Sequence, residues 1–168
     1  MVLYREYFSS REKFIFPKRV TIELTNACNL NCPMCPRRFT NYPIGFMSKN
    51  LYYKIIDEVV QYNSIIVPFF RGESLLHPHF LDFIEYAKNK RLTIQLATNA
   101  VLLEERISRE LIKLELDFIS FSIDAPTKEI YEKIRKGASY EKVIENINSF
   151  IEIKKRLGKT KPVIQVSV

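Results

Sequence analysis

The octapeptide Cys28-Asn29-Leu30-Asn31-Cys32-Pro33-Met34-Cys35 holds all three cysteines of this 168-residue chain. An odd number of thiols packed so closely is a poor disulfide framework. Reduced thiols in a reducing compartment are better suited to metal ligation. The asparagines and the proline between them are typical of a loop. The stretch therefore predicts a metal-binding loop, and the rest of the chain is expected to build a barrel and a cofactor site around it.

The composition is that of a globular protein, with 46% hydrophobic and 27% charged residues. No apolar run approaches the roughly 20 residues that cross a bilayer. The N-terminal stretch MVLYREYFSSREKF mixes charges into its apolar residues and lacks the apolar core of a signal peptide. We therefore expect a cytoplasmic protein with no membrane partner.

The formal net charge of +7 is compatible with an anionic partner such as nucleic acid. The basic residues are spread along the chain, however, and carboxylates interleave with most of them. This distribution favours solvated, lysine-rich helix faces over a nucleic acid site. The clearest exception is Lys154–Lys161, a run without a carboxylate, so an RNA-directed function stays open.

Strand and helix patterns alternate on either side of the cysteines. The segment before them, Arg19–Thr25, alternates apolar and polar residues with the period of a strand. Further strands are predicted at Ser64–Phe70, Leu92–Asn99, Asp117–Asp124 and Pro162–Val168. A helix is predicted behind the N-cap Ser48, with Leu51, Ile55 and Val59 in one apolar row beside Tyr52, Ile56 and Val60. Further helices are predicted at Phe80–Lys90, Leu103–Leu114, Thr127–Arg135 and Tyr140–Leu157. Repeated strand–helix units indicate parallel strands.

Parallel strands of this kind form either an open doubly wound sheet or a barrel. The chain has only four glycines and no G-x-G-x-x-G turn. Each strand except Ser64–Phe70 carries one polar alternating set, which is costly to bury without partners and is expected to line a ligand-bearing lumen. The set comprises Thr21, Glu23, Thr25, Thr93, Gln95, Asn99, Ser120, Ser122, Asp124, Gln165 and Ser167. We therefore predict an α/β fold, an incomplete parallel (β/α) barrel of about four βα units plus a fifth strand.

Chemically useful residues stand where strands give way to loops, which in a parallel barrel is one rim. They are the three cysteines, Gly72, Glu73, Thr98, Asn99, Ser122 and Asp124. Three thiolates without a local fourth ligand suggest an iron–sulfur cluster with one open iron position, because such clusters are normally held by four. The alternative is a closed zinc site completed by His77 or His79. Otherwise these histidines are expected to cap and pack.

The order C-x-x-x-C-x-x-C resembles the cluster motif of radical S-adenosylmethionine (radical SAM) enzymes. LTNACNLNCPMCPR and IGFMS resemble the first segment of members with a C-terminal auxiliary-cluster (SPASM-type) extension. RGESLLHP resembles the Gly-Gly-Glu motif after the second strand, and ATNA resembles a Thr-Asn-Gly after the third. FSIDAPTKEIYEKIRKGASYEKVIENI resembles the Ser-Ile-Asp-Gly strand end and the helix beyond it. The resemblance covers about Pro17 to Val168.

The resemblance implies that Cys28, Cys32 and Cys35 ligate a [4Fe-4S] cluster whose open iron binds S-adenosylmethionine (SAM). It implies further roles in cofactor binding. Gly72 and Glu73 would receive the methionine amine, Ser122 and Arg135 would handle the carboxylate or ribose, Met34 would pack near adenine, and Asn99 and Asp124 belong to the matching strand-end motifs. The reduced cluster would split a carbon–sulfur bond of SAM to give a 5′-deoxyadenosyl radical.

The same resemblance implies an enzyme, a radical SAM oxidoreductase or maturase. It would take electrons from a flavodoxin- or ferredoxin-like donor and abstract hydrogen from a peptide or small metabolite. Two other functions remain open at this point. One is an RNA-modifying radical SAM enzyme, and the other is a catalytically inert, truncated zinc module.

The chain departs from the family pattern at a few positions. Arg71 replaces the first glycine of Gly-Gly-Glu, Ala100 and Ala125 replace later glycines, and Met34 stands where an aromatic residue is commoner. Arg71 is expected either to add a cation near the cofactor or to point outward. We expect an N-terminal arm over residues 1–17 and a radical SAM core over 18–168. Measured against the six units of the family barrel, that core would be truncated by about a third.

Overall fold

The computed structural model describes residues 16–167, so all but the last two residues of the predicted N-terminal arm, and Val168, lie outside the described residues. Strands and helices alternate within this range. They are β1 Arg19–Thr21, α1 Lys49–Val59, β2 Ile65–Val67, α2 Phe80–Asn89, β3 Gln95–Thr98, α3 Glu105–Lys113, β4 Phe118–Ser122, α4 Lys128–Ile134, α5 Tyr140–Arg156 and β5 Val163–Ser167. None of these helices has the length and apolarity to cross a membrane.

All five strands run parallel and neighbour one another in chain order. β1 pairs with β2, and β3, β4 and β5 form a second ladder. A parallel bridge between Ile66 and Ile94 joins the two ladders, and the Ile66 amide donates to the Thr93 carbonyl at 2.8 Å. A doubly wound sheet would reverse its strand order at a switch point. The uninterrupted order is that of a barrel wall, which confirms the predicted partial (β/α) barrel.

The two faces of the strands differ as the alternation predicts. The apolar set, including Ile66, Leu96 and Phe121, is buried in one core, and the Phe121 ring meets Phe150 of α5 edge-on at 5.7 Å. Several members of the polar set lie on the opposite face and are half-buried or exposed. There Ser120 Oγ lies 3.0 Å from Ser167 Oγ, and Arg19 donates to Gln95 Oε1 at 2.6 Å. Thr25 departs from this set, because it is buried and donates to the Gly45 carbonyl at 2.7 Å.

The apolar residues predicted on α1 are not equally buried. Ser48 caps the helix as expected, accepting from the Leu51 amide at 3.3 Å. Leu51 itself is 48% exposed, whereas Tyr52, Ile56 and Val59 are buried. The reason is the Tyr52 ring, which stacks on Phe83 of α2 at 4.1 Å while its hydroxyl donates to the Phe83 carbonyl at 3.1 Å. A large ring that satisfies its hydroxyl outweighs one leucine in choosing the core-facing side.

The first strand is also shorter than predicted. β1 ends at Thr21, although the Ile22 amide still donates to the Val67 carbonyl at 2.9 Å. Beyond it the chain turns toward the loop before α1, where Thr25 forms an antiparallel bridge with Phe46. This bend delivers the cysteine loop to the carboxyl end of the strands.

Candidate cofactor site

One cleft at the carboxyl ends of the strands gathers the residues that the sequence nominates for a cluster and its cofactor. The three cysteines line it together with all seven candidate cofactor residues, Met34, Gly72, Glu73, Asn99, Ser122, Asp124 and Arg135. Leu30, Phe69, Phe70 and Arg71 complete the lining. The rim predicted from parallel strand ends is therefore a single physical site.

Backbone hydrogen bonds hold the cysteine loop, one within it and one to the segment after α4. The Cys35 amide donates to the Cys32 carbonyl at 3.1 Å, and the Asn31 amide donates to the Lys136 carbonyl at 2.9 Å. All three thiols are free rather than disulfide-bonded, with Cys32 buried and the other two half-buried. The loop thus holds three thiols in place without any bond between them.

Cys28 sits among groups that act on its charge. Burial raises the pKa of its thiol, whereas the Leu30 amide, which donates to Sγ at 3.4 Å, opposes the shift. Asn99 Nδ2 lies 3.9 Å from the same sulfur. Hydrogen-bond donors aimed at a sulfur favour the thiolate, which is the form that ligates metal. The surroundings of Cys28 therefore fit a ligand to a metal or cluster.

Glu73 is a buried carboxylate with three donors from the chain. Thr98 Oγ1 and the Leu75 amide donate to Oε1 at 2.9 and 3.2 Å, and the Asn99 amide donates to Oε2 at 2.9 Å. Burial still raises the pKa of Glu73 above its ordinary value. Since one oxygen receives a single donor, the carboxylate keeps acceptor capacity for a cationic ligand.

Gly72 sets how closely the Glu73 loop approaches the cysteine loop. A Cβ on Gly72 would lie 2.0 Å from the Thr25 carbonyl oxygen and 2.6 Å from that of Ala27. The Glu73 amide donates to the same Ala27 carbonyl at 2.7 Å. Glycine is required here by this contact between two backbones.

Arg135 and Asp124 form an ion pair in the lining of the cleft. The Arg135 side chain is only 15% exposed, so it is not a solvated helix end. Its Nε atom is buried and has no hydrogen-bond partner in the part of the chain that the structure describes. Asp124 has a left-handed backbone, with φ of 56°, and its carboxylate serves Arg135.

The cleft is lined by groups of both charges. Glu73 offers a carboxylate, and Arg135 offers a guanidinium. A ligand carrying both an ammonium and a carboxylate, as the methionine portion of SAM does, complements these two groups. The residues present therefore fit the cofactor that the family resemblance implies.

The histidines do not take part in this cleft. His77 Nε2 lies 3.0 Å from the Met47 carbonyl, and its Nδ1 accepts from the His79 amide at 3.1 Å. Burial lowers the pKa of His77. His79 lies 3.3 Å from Asp82. His77 caps and packs as predicted, whereas His79 stands at the N-cap position of α2 with an exposed side chain that makes no capping hydrogen bond. These contacts do not favour the zinc alternative.

No group of three or more His, Cys, Asp or Glu side chains within residues 16–167 is close enough to hold a single metal ion. A [4Fe-4S] cluster spreads its thiolates over different irons, so its ligands need not converge on one point.

Two arginines beside the cleft have partners that the sequence pattern did not predict. Arg71 pairs with Glu23, with Nε and one terminal nitrogen donating to the two carboxylate oxygens at 3.2 and 3.1 Å. Its guanidinium lies over the rings of Phe70 and Tyr42, at 5.2 and 5.5 Å. Arg71 therefore lies at the cleft edge, but Glu23 neutralises it. The other arginine, Arg37, donates to the Leu30 carbonyl at 2.8 Å.

Two lysines of the basic run Lys154–Lys161 form ion pairs with carboxylates outside the run. Lys159 pairs with Glu115 at 2.8 Å and Lys161 pairs with Asp117 at 2.6 Å. Carboxylates distant in sequence therefore offset part of this run. Its charge gives little support to an RNA-directed function.

A family model described as the Radical SAM superfamily matches residues 22–163. The tungsten-containing aldehyde ferredoxin oxidoreductase cofactor-modifying protein of Pyrococcus furiosus is 30% identical over 157 residues, which cover 90% of this chain and 43% of that protein. Mycofactocin maturase MftC of Mycobacterium tuberculosis is 26% identical over 133 residues, covering 79% of this chain and 34% of that protein. The chain spans less than half the length of these relatives.

Solved structures show the same fold. Streptococcus suis SuiB bound to S-adenosylmethionine matches with a TM-score of 0.73, and SuiB bound to the precursor peptide SuiA matches with a TM-score of 0.72. Both are 16% identical and cover 90% of this chain, but the matches span only 34% and 33% of the SuiB chains.

Proposed function

This chain belongs to the radical SAM superfamily, and from that membership we propose that Cys28, Cys32 and Cys35 ligate a [4Fe-4S] cluster with SAM bound beside it. When bound, the cluster supplies the electron for reductive cleavage of SAM to a 5′-deoxyadenosyl radical, which abstracts hydrogen from a substrate. The observation that carries the proposal is the single cleft in which three free thiols face a buried carboxylate and a buried guanidinium.

Glu73 and Arg135 are assigned the two ends of the methionine portion. Glu73 has acceptor capacity left on Oε2 and would receive the ammonium beside Gly72. Arg135 and Ser122, which both line the cleft, would receive the carboxylate. The opposed charges would therefore orient the ligand with its sulfonium toward the cysteine loop.

The remaining candidates would hold the nucleoside. Met34 is half-exposed at the cleft and offers an apolar surface to adenine. Asp124 keeps Arg135 in place and has a second oxygen for a ribose hydroxyl. Asn99 donates to Asn29 at 2.9 Å and so ties the end of β3 to the cysteine loop. Leu30, Phe69 and Phe70 supply apolar walls that would limit water around a reactive intermediate.

The substrate is proposed to be a peptide or a small metabolite, and the electron donor a flavodoxin- or ferredoxin-like protein. Support for a peptide comes from the maturase MftC and from SuiB, whose structure with the precursor peptide SuiA shares this fold. We propose that the radical SAM core occupies residues 18–168. We propose the same radical SAM activity for the whole protein.

Anaerobic reconstitution with iron and sulfide tests the proposal. We expect a brown protein with about four irons per chain. Alanine at Cys28, Cys32 or Cys35 should abolish iron uptake, and reduced, loaded protein should convert SAM to 5′-deoxyadenosine. A colourless protein holding one zinc per chain, with no iron uptake, would contradict the cluster.

A further inference from the structure

Arg37 ties the end of the cysteine loop back to its middle. It lies two residues beyond Cys35, in the 3₁₀ turn Pro36–Phe39, and donates to the Leu30 carbonyl at 2.8 Å. Leu30 stands between Cys28 and Cys32, so this bond closes the part of the loop that carries Cys32 and Cys35. The neighbouring Arg38 is exposed, whereas Arg37 is half-buried.

The three arginines near the cysteine loop differ in their partners. Arg71 pairs with Glu23 and Arg135 pairs with Asp124. Among residues 16–167, no carboxylate lies within ion-pair distance of Arg37, and its Nε atom is buried without a hydrogen-bond partner. The guanidinium groups of Arg71 and Arg135, which line the cleft, are thus compensated, whereas that of Arg37 has no carboxylate partner among these residues.

The Arg37 guanidinium lies beside the cysteine loop. It donates to the carbonyl of Leu30, which stands two residues from both Cys28 and Cys32, and Arg37 itself lies two residues beyond Cys35. Three thiolates make a loaded cysteine loop strongly anionic, and reduction of a cluster adds one more negative charge. The reduction potential of an iron–sulfur cluster depends on net charge, on hydrogen bonds to its sulfurs and on solvent exposure.

We propose that Arg37 is a positioning residue that braces the cysteine loop and raises the reduction potential of the cluster held there. This inference rests on the proposed function. One electron from a low-potential donor, or from dithionite in vitro, enters the oxidised cluster. No bond forms or breaks, and Arg37 keeps its proton because a guanidinium stays charged at all working pH values. Its fixed charge stabilises the reduced state more than the oxidised state.

The test is a redox titration of reconstituted protein followed by electron paramagnetic resonance. Arg37→Gln removes the charge but keeps an amide that can donate to Leu30. At a fixed applied potential we expect the ratio of reduced to oxidised cluster to fall about tenfold, as for a unit charge acting through a protein interior. For a one-electron couple, a tenfold change corresponds to about 59 mV.

Arg38→Gln is the matched control, because it removes the same charge from the same turn at an exposed position. Its effect on the ratio should be small, since water and salt screen an exposed charge. Arg37→Lys keeps the charge and should stay close to the wild-type ratio. Equal shifts in Arg37→Gln and Arg38→Gln would overturn the proposal, as would a fully loaded Arg37→Gln with no shift.

Iron content separates this inference from the function on which it rests. If wild-type protein takes up no iron, the proposed cluster fails, whatever Arg37 does. If Arg37→Gln takes up no iron, Arg37→Met repeats the measurement. Failure of both neutral variants to load, with Arg37→Lys loading normally, would support a need for the charge. Failure of Arg37→Lys alongside them would overturn the redox role and leave Arg37 only as a brace.

Discussion

Thr98 at the end of β3 donates its hydroxyl to Oε1 of Glu73 at 2.9 Å. The next amide along, that of Asn99, donates to the other oxygen of the same carboxylate at 2.9 Å. Glu73 therefore joins the loop after β2 to the end of β3, besides facing the cleft. The carboxylate proposed to receive the ligand's ammonium is held in position by the neighbouring strand.

Thr98→Val should weaken both the fold and SAM binding. Thr98 is buried, and valine keeps its shape but removes the hydroxyl donor to Glu73. We expect the free energy of unfolding to fall by about 1–3 kcal/mol, because the bond is to a buried carboxylate. Urea unfolding and a SAM titration of loaded protein measure the two effects. Thr93→Val, at a half-buried position outside the cleft lining, is the control and should change neither.

The unloaded protein should lose stability at Glu73 as the pH rises. Burial raises the pKa of Glu73, so between its ordinary and raised values the folded chain holds a proton that the unfolded chain has released. Stability from this residue is present at low pH and falls through that interval. The free energy of unfolding of the wild type, minus that of Glu73→Gln, should therefore decrease as the pH rises. Urea unfolding of both proteins across a pH series checks this, and parallel curves would show that the prediction is wrong.

Gly72→Ala should damage the site, whereas Gly45→Ala should be nearly silent. The new methyl group at Gly72 would meet the Thr25 carbonyl at 2.0 Å, and backbone atoms cannot swing aside. We expect a loss of about 1–3 kcal/mol in stability together with weaker SAM binding. A methyl group at Gly45 meets nothing within 4 Å, and a change within about 0.5 kcal/mol is expected. Equal effects of the two substitutions would contradict the close contact.

Local patterns were sufficient to predict the strand order and the rim. Alternation marked Leu96 and Phe121 for the core and Gln95 and Ser120 for the other face, because a strand's side chains alternate whatever its neighbours are. The rim followed from parallel strands, whose carboxyl ends must share one side. Every candidate cofactor residue then fell in one cleft.

Features that depend on distant partners were not predictable in the same way. Leu51 and Tyr52 stand on adjacent apolar stripes of α1, and only the packing of Tyr52 on Phe83 decides between them. The pairing of Glu23 with Arg71 joins positions 48 residues apart, so no local pattern contains it. The sequence places Arg37 two residues beyond Cys35, but no local pattern predicts that its side chain donates to the Leu30 carbonyl.

Asp117→Asn should destabilise the fold without disturbing the cofactor cleft. Burial alone would raise the pKa of Asp117, but Lys161 and Lys88 outweigh it and hold the pKa below its ordinary value. Lys88 and the Ile94 amide both donate to Oδ2, at 2.7 and 2.9 Å. We expect a loss of about 1–3 kcal/mol near neutral pH. The loss should diminish in acid, because a carboxylate with a lowered pKa stops contributing as pH falls through that value.

Urea unfolding at neutral and acid pH measures this effect, and a SAM titration checks that binding is retained. Glu110→Gln is the control, because Glu110 pairs with Lys113 on the exposed surface of α3 at 2.8 Å. Its removal should change stability by no more than about 0.5 kcal/mol. A comparable loss of stability in both variants would contradict the stabilising role of the bonds that Asp117 accepts from Lys88 and the Ile94 amide.

The three thiols lie within one short peptide, whereas the groups that face them come from Gly72 to Arg135. An unfolded or proteolysed chain still contains this peptide, but the other groups of the cleft are no longer held beside it. Iron or zinc uptake by such material would therefore mimic a correctly assembled site, because the ligands need no tertiary structure to meet. SAM affinity cannot be mimicked in this way, and it is the better assay of whether a preparation contains native protein.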